Sequence, residues 1–375
     1  MKYIAYYDIK KYASENRKYV LAAVNKMQYI CNALHSVGEN VDIISVSGTK
    51  NKKFCRGRVD KLDFGSLKCF PSFPNLNALF RRIDSIFIRI CLFGYLLKNA
   101  KKNENVIVYH GVDYGNAIAW AKKIKGFKVI LEVEEIYQNV KSLGTRKNKR
   151  EYRDFEIADK YIFPTELLNK KLNHKNKPYC VIHGTYQVEP DRGESFNDGK
   201  IHVVYAGTFD KTKGGALAAI EAVQFLNENY HLHMLGFGSE KDKKEVKNKI
   251  EEIKKKTNAR VTFDGLLAGE EYIRFIQKCH IGLSTQNPKG NFNNTSYPSK
   301  ILSYMANGLR VVSVKIPVVE TSAVGNYLYY YENQTPEEIA KAIMSIDLND
   351  SYDGRKIIEK LDEKFKRDIE RLIKE

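Results

Sequence analysis

The sequence predicts an α/β chain folded as two Rossmann-like, doubly wound parallel-sheet domains. Short Val/Ile-rich runs alternate with amphipathic helical stretches from end to end, the pattern of βαβ units whose parallel strands are covered on both faces. At 375 residues the chain exceeds one compact core and suits two domains of ordinary size. A polar segment without periodicity, Gln187–Lys200, carries Pro190, Gly193 and Gly199 and reads as the linker between them.

Six strand candidates precede that break: Tyr3–Ile9, Val41–Val46, Val106–Tyr109, Lys128–Glu134, Lys160–Pro164 and Tyr179–His183. Six follow it: His202–Gly207, His231–Gly236, Arg260–Phe263, His280–Ser284, Arg310–Val314 and Tyr327–Tyr331. Helical periodicity lies between most neighbours, for instance over Asn16–Ser36, Ala78–Lys98, Gly214–Asn227 and Glu240–Thr257. The domains are therefore placed at 1–186 and 187–350. A charged helix over 351–375, apolar at Ile358, Leu361, Phe365, Ile369 and Leu372, is expected to pack back on the first.

Composition narrows the class. With 43% hydrophobic and 29% charged residues the chain is globular and not disordered. Its six cysteines are scattered without a Cys-x-x-Cys pair, which suits neither a disulfide framework nor a zinc cluster and points to reduced thiols in the cytoplasm. The first residues enter a strand with no signal-peptide-like apolar region. Charge is uneven: residues 1–150 hold 28 Lys+Arg against 12 Asp+Glu, whereas residues 201–375 hold 26 against 24. A basic first domain implies an anionic partner surface. Nucleic acid is not expected, because no recognition-helix motif or RNP-like aromatic strand is present. The segment Phe80–Leu97 is apolar nearly all round, with Arg81, Arg82 and Arg89 inside it and Lys98, Lys101 and Lys102 after it. Asp84 and Arg89 interrupt it, so it reads either as a buried core helix or as an in-plane helix held by anionic lipid.

The second half carries the informative spacing. Its first strand ends Tyr205-Ala206-Gly207-Thr208, and Lys213-Gly214-Gly215 opens a helix soon after. A glycine-bearing strand-to-helix turn lets backbone approach a phosphate, and a neighbouring lysine neutralises it. The second strand ends Leu235-Gly236-Phe237-Gly238. The third element, Tyr297-Pro298-Ser299-Lys300-Ile301-Leu302-Ser303-Tyr304-Met305-Ala306-Asn307-Gly308, is a short helix leading to a strand. Ser299 is expected to cap that helix and offer its hydroxyl to an anion, with Lys300 adding a cation. The two glycine-bearing turns lie at carboxyl ends of parallel strands, where such sheets bind ligands.

In this order and spacing the elements resemble the retaining GT-B glycosyltransferases of family four (glycosyl transferases group 1). The resemblance covers about His202 to Ile346 and, before that, layout alone. It implies two Rossmann-like domains facing a cleft, a nucleotide-diphosphate sugar (UDP- or GDP-linked) held by the second, and no essential metal or other cofactor. By the same resemblance, Gly207 would approach the diphosphate and Lys213 would neutralise it as the glycosidic bond breaks. Ser299 and Lys300 would sit near the phosphates beside Pro298, and Gly236 and Gly238 would leave room near the nucleotide. Two positions depart from the pattern: the arginine after the first glycine is Thr208, and the two acids of the Glu-x7-Glu pair are Thr295 and Ser303.

In the first domain, Tyr109-His110-Gly111 and Glu132-Val133-Glu134-Glu135 mark two strand ends. Either His110 is structural or it orients a sugar or acceptor hydroxyl. Three acids in four residues are costly to bury without partners, so Glu134 and Glu135 are candidates to contact acceptor or sugar hydroxyls. The expected activity is sugar transfer to a glycan or polyprenyl-linked acceptor in bacterial capsule, exopolysaccharide or lipopolysaccharide assembly, at the inner face of the cell membrane. The alternatives are a nucleotide-sugar epimerase of the same architecture and a non-catalytic GT-B partner protein.

Overall fold

The computed structural model describes residues 1–111, 113–137, 145–210, 214–290, 293 and 295–375, with backbone alone for 145–149. It divides into two compact units, Met1–Ile182 with Lys364–Glu375, and His183–Glu363. The residues of the expected linker, 187–200, therefore belong to the second unit, and the last helix, Gly354–Lys374, contributes its end to the first. There Phe365 stacks on Tyr29, Lys160 donates to the Leu372 carbonyl at 2.7 Å and Asn105 to that of Ile373 at 2.7 Å.

The first unit is an eight-stranded sheet: β1 (Lys2–Ala5), β2 (Val41–Ser45), β3 (Arg58–Leu62), β4 (Gly65–Cys69), β5 (Asn105–Tyr109), β6 (Lys128–Glu132), β7 (Lys160–Phe163) and β8 (Tyr179–Val181). The order is β3-β4-β2-β1-β5-β6-β7-β8, and every pair is parallel except β3–β4. The six expected strands are present, most of them shorter. The β3–β4 hairpin is additional. Its turn depends on Gly65, whose φ of 151° and position against β2, where a β-carbon would stand 2.2 Å from the Val41 carbonyl oxygen, admit no side chain.

Helix Ala78–Asn99 buries Asp84, Ile88, Leu92 and Leu96, one residue per turn, and leaves Leu79, Ile83, Ile86 and Ile90 exposed on another face. Asp84 is an anchor: its carboxylate accepts from the Phe73 amide at 2.7 Å and the Ser72 hydroxyl at 3.0 Å. The segment is thus half core helix and half exposed apolar stripe.

The second unit holds β9 (Ile201–Thr208), β10 (Tyr230–Phe237), β11 (Arg260–Gly265), β12 (Ile281–Ser284), β13 (Arg310–Val314) and β14 (Tyr329–Tyr331), all parallel, in the order β11-β10-β9-β12-β13-β14. Counted from β9 this is the 3-2-1-4-5-6 Rossmann order, with its topological switch between β9 and β12. The first unit reverses in the same way between β1 and β5.

Candidate functional site

The second unit gathers most of its predicted donor-side residues around the end of β9. Tyr304, fully buried, accepts the Ala206 amide at 2.8 Å, and its ring fills the space beside Gly282, where a β-carbon would come within 2.3 Å. These contacts fix helix Lys300–Ala306 over the β9/β12 switch point. They carry the Lys300 ammonium to 4.0 Å from the centroid of the Tyr205 ring, a cation–π distance. A β-carbon on Gly207 would lie only 2.9 Å from the same nitrogen. Gly207 and Lys300, 93 positions apart in the chain, therefore meet where an open α/β sheet binds ligands.

The other predictions fare differently. Thr208 is exposed at the end of β9. Gly236 is explained by packing: with φ at 151°, a β-carbon there would stand 1.9 Å from the Gly207 carbonyl oxygen. At Gly238 a β-carbon would touch Phe209 and Asp242 at 3.1 Å. Pro298 is half-buried and Ser299 exposed. Ser299 makes no side-chain cap, contrary to expectation. Its backbone is already helical (φ −56°, ψ −18°), whereas a capping side chain needs an extended residue to reach forward. The Ile301 and Leu302 amides bond instead to the Pro298 and Ser299 carbonyls, each at 3.1 Å. Ser303 Oγ is 3.4 Å from the Tyr272 hydroxyl, and Thr295 is buried with a hydroxyl that has no hydrogen-bond partner among the described residues. Lys213 lies outside the described residues.

In the first unit the acidic strand end is largely neutralised from within. Glu132 is fully buried and accepts from the Tyr3 hydroxyl, while burial and then Glu134 push its carboxyl well above the usual range. Lys26 ion-pairs with Glu134 and lies 4.0 Å from Glu132. His110 is 1% exposed, stacked on Tyr137 at 4.7 Å and 3.6 Å from Glu151; burial lowers it to about 4, against an opposing backbone contact at Glu135. Glu135, by contrast, lines a cavity of about 610 Å³.

That cavity was not legible in the sequence as a site. Tyr6, Tyr109 and Tyr137 line it beside the cations Lys18, Lys50, Arg81 and Arg89 and, with Glu135, the acids Asp84 and Asp113. Tyr6 follows β1 and Tyr109 ends β5, so it opens at the switch point of the first sheet. Burial raises all three phenols, which stay protonated; the Tyr137 hydroxyl donates to the His110 carbonyl at 2.9 Å and that of Tyr6 to Asp113 at 3.4 Å. Aromatic faces flanked by cations and carboxylates suit a polar ring bearing hydroxyls.

Residues 200–347 match the family model of glycosyl transferases group 1. That match lies within the second unit and spans less than half of the chain. The whole chain shares its fold with GT-B enzymes of known structure. It aligns over 100% of its length with 98% of the sucrose-phosphate synthase from Thermosynechococcus elongatus, at TM-score 0.71 and 14% identity. It covers 99% of the trehalose-6-phosphate synthase OtsA over its own full length, at TM-score 0.71 and 11% identity. An E. coli trehalose-6-phosphate protein bound with UDP-2-fluoro glucose aligns over 100% of this chain and 99% of its own, at TM-score 0.69 and 10% identity. No curated protein sequence matches the chain. What these structures share with the chain is the GT-B fold.

Proposed function

We propose that this chain is a GT-B glycosyltransferase that takes a UDP- or GDP-linked sugar as donor and transfers it to a glycan or polyprenyl-linked acceptor in bacterial surface polysaccharide assembly. The observation that carries the donor reading is the meeting of Lys300 and Gly207 at the β9/β12 switch point. A glycine there lets a diphosphate come against bare backbone, and the ammonium offsets the charge that grows on it as the glycosidic bond breaks. The resemblance gives Lys213 the same task. No metal is required in this scheme, because lysines take the part a divalent ion plays elsewhere. Retention of configuration belongs to the proposal through the same resemblance.

The first-unit cavity, where tyrosines, cations and carboxylates mix, supports a hydroxyl-rich acceptor, with Glu135 among the groups that would meet its hydroxyls. The exposed Leu79, Ile83, Ile86 and Ile90 stripe supports docking at the inner, anionic membrane surface, with Arg82 and Lys98 on the same helix. Among the described residues no helix is long and apolar enough to cross a membrane. The test is to incubate UDP- and GDP-sugars with and without polyprenyl-phosphate-linked glycan, and to quantify nucleoside diphosphate and glycosylated product. Acceptor-dependent release, lost in Lys213→Ala and reduced in Lys300→Ala, is the expected result. Isomerisation of donor alone would identify an epimerase, and inertness toward every donor a non-catalytic partner.

A further inference from the structure

The opposite end of the second sheet carries four histidines: His202 at the start of β9, His231 and His233 at the start of β10, and His280 just before β12. His202, His231 and His233 are buried, at 1%, 4% and 3% exposure. One nitrogen from each of these three lies within 4.8 Å of one from each of the others. In register, His231 sits opposite His202 and Arg260, and His233 opposite Thr262, so alternation along the strands turns both histidines of β10 to one face.

Their neighbours fix the tautomers. His202 Nε2 is 2.8 Å from the Asp198 carboxylate, which accepts its proton and leaves Nδ1 with a lone pair. His233 Nδ1 is 3.3 Å from the Asp264 carboxylate, which leaves Nε2 with a lone pair. The Thr262 hydroxyl donates to Asp264 at 2.9 Å and so accepts from His231 Nε2 at 3.0 Å, which leaves His231 Nδ1 as the lone-pair nitrogen. That atom is buried without a hydrogen-bond partner. His202 Nδ1 and His233 Nε2 then face each other across 2.9 Å, two lone pairs that repel unless a positive charge stands between them. A proton would join that pair and leave His231 Nδ1 orphaned. A metal ion satisfies all three.

We propose that His202, His231 and His233 bind a late first-row divalent cation of the zinc class, with Asp198, Asp264 and Thr262 as the outer shell that orients them. Imidazole donors select such ions over magnesium or calcium, and carboxylates behind metal-binding imidazoles are the usual support. Two outer carboxylates also balance the double charge. Zinc–nitrogen bonds of about 2.0–2.1 Å place tetrahedral ligands roughly 3.4 Å apart, so the His202–His233 pair opens slightly as the ion enters. Five residues separate His202 from Gly207 and His231 from Gly236, about 17 Å along a strand. The ion is therefore remote from the proposed donor site and its role is structural. Asp198 and Phe196, the latter stacked on His202 at 4.1 Å and His233 at 5.0 Å, would be clamped with it, fastening segment 187–200 to the sheet.

The test uses the full-length protein stripped with a chelator and titrated with zinc chloride by calorimetry, then with cobalt(II) chloride by absorption. We expect one equivalent of zinc per chain, a raised thermal midpoint, and a cobalt spectrum without thiolate charge-transfer bands. His231→Gln and His233→Gln should each weaken binding at least tenfold, and Asp264→Asn, which leaves all three ligands in place, by about 10–100-fold. Circular dichroism checks that each variant is folded; should the histidine variants fail to fold, wild-type stoichiometry and Asp264→Asn decide. Substoichiometric zinc, thiolate bands, or unchanged affinity in folded His231→Gln or in Asp264→Asn would overturn the proposal. So would an imidazole NMR spectrum showing only a shared His202–His233 proton in protein that takes up no zinc.

Discussion

At the switch point of the second sheet the chain presents backbone, with Gly207 and Gly236 back to back and one lysine above them. At the switch point of the first sheet it presents side chains, with Tyr6 and Tyr109 rimmed by four cations and three acids around an open cavity. The strand order reverses alike in both. What differs is whether each strand end carries a glycine or an aromatic residue, and that decides whether a site suits a phosphate pressed against amides or a ring stacked on phenols. Shared topology places the two corners alike, and side-chain choice gives them different surfaces.

The sharpest way to break this contrast is to put a side chain where the second unit has none. Gly236→Ala adds a β-carbon 1.9 Å from the Gly207 oxygen at a backbone angle that disfavours any side chain. It should cost about 3 kcal/mol or more, read by urea unfolding. Gly38→Ala, at φ 93° with open space around it, serves as the control and should cost only about 1 kcal/mol. Equal losses would mean that backbone angle alone, and not the β9–β10 contact, makes glycine necessary.

The first unit is expected to be acid-sensitive through His110. Burial lowers its folded pKa from 6.5 to about 4, so the stability it contributes is present above pH 6.5 and is lost as pH falls through 4. At about 1.4 kcal/mol per unit the full loss approaches roughly 3 kcal/mol. His110→Gln should flatten the stability profile between pH 6.5 and 4, followed by urea melts at each pH. An unchanged slope would show that His110 does not carry the acid response.

Lys300→Ala should weaken nucleoside diphosphate binding at least tenfold, about 1.4 kcal/mol, while leaving the fold intact. A smaller effect is expected at the exposed stripe. Ile86→Glu with Ile90→Glu should reduce binding to vesicles containing phosphatidylglycerol severalfold and leave nucleotide binding unchanged, as read by flotation. Binding that is equal on neutral and anionic vesicles would remove the electrostatic half of that docking.

All twelve sequence-derived strands are present, because Val/Ile runs such as Val106–Tyr109 and Arg310–Val314 are buried and announce themselves. The β3–β4 hairpin escaped because an edge strand such as Arg58–Leu62 has one wet face and reads as polar chain. The glycine and Pro-Ser-Lys spacings pointed to one end of the sheet, but the Lys300–Gly207 meeting depends on Tyr304 packing across two strands, which no local pattern encodes. The first-unit cavity draws residues from six separate stretches between Tyr6 and Tyr137 and has no linear signature. The histidine cluster did leave a trace, His-Leu-His in β10 with a histidine at the start of β9 and another just before β12, which becomes meaningful only when the register brings those positions together.

On the proposed function, the Gly207–Lys300 corner holds a nucleoside diphosphate. The direct measurement is thermal stabilisation of the full-length protein by UDP, GDP, ADP, TDP and CMP, repeated in Lys300→Ala. Stabilisation by one diphosphate, about 2.7 kcal/mol at a hundred times its dissociation constant, and markedly less at the same concentration in the variant, is the predicted result. No stabilisation by any nucleotide, or an equal shift in Lys300→Ala, would contradict it.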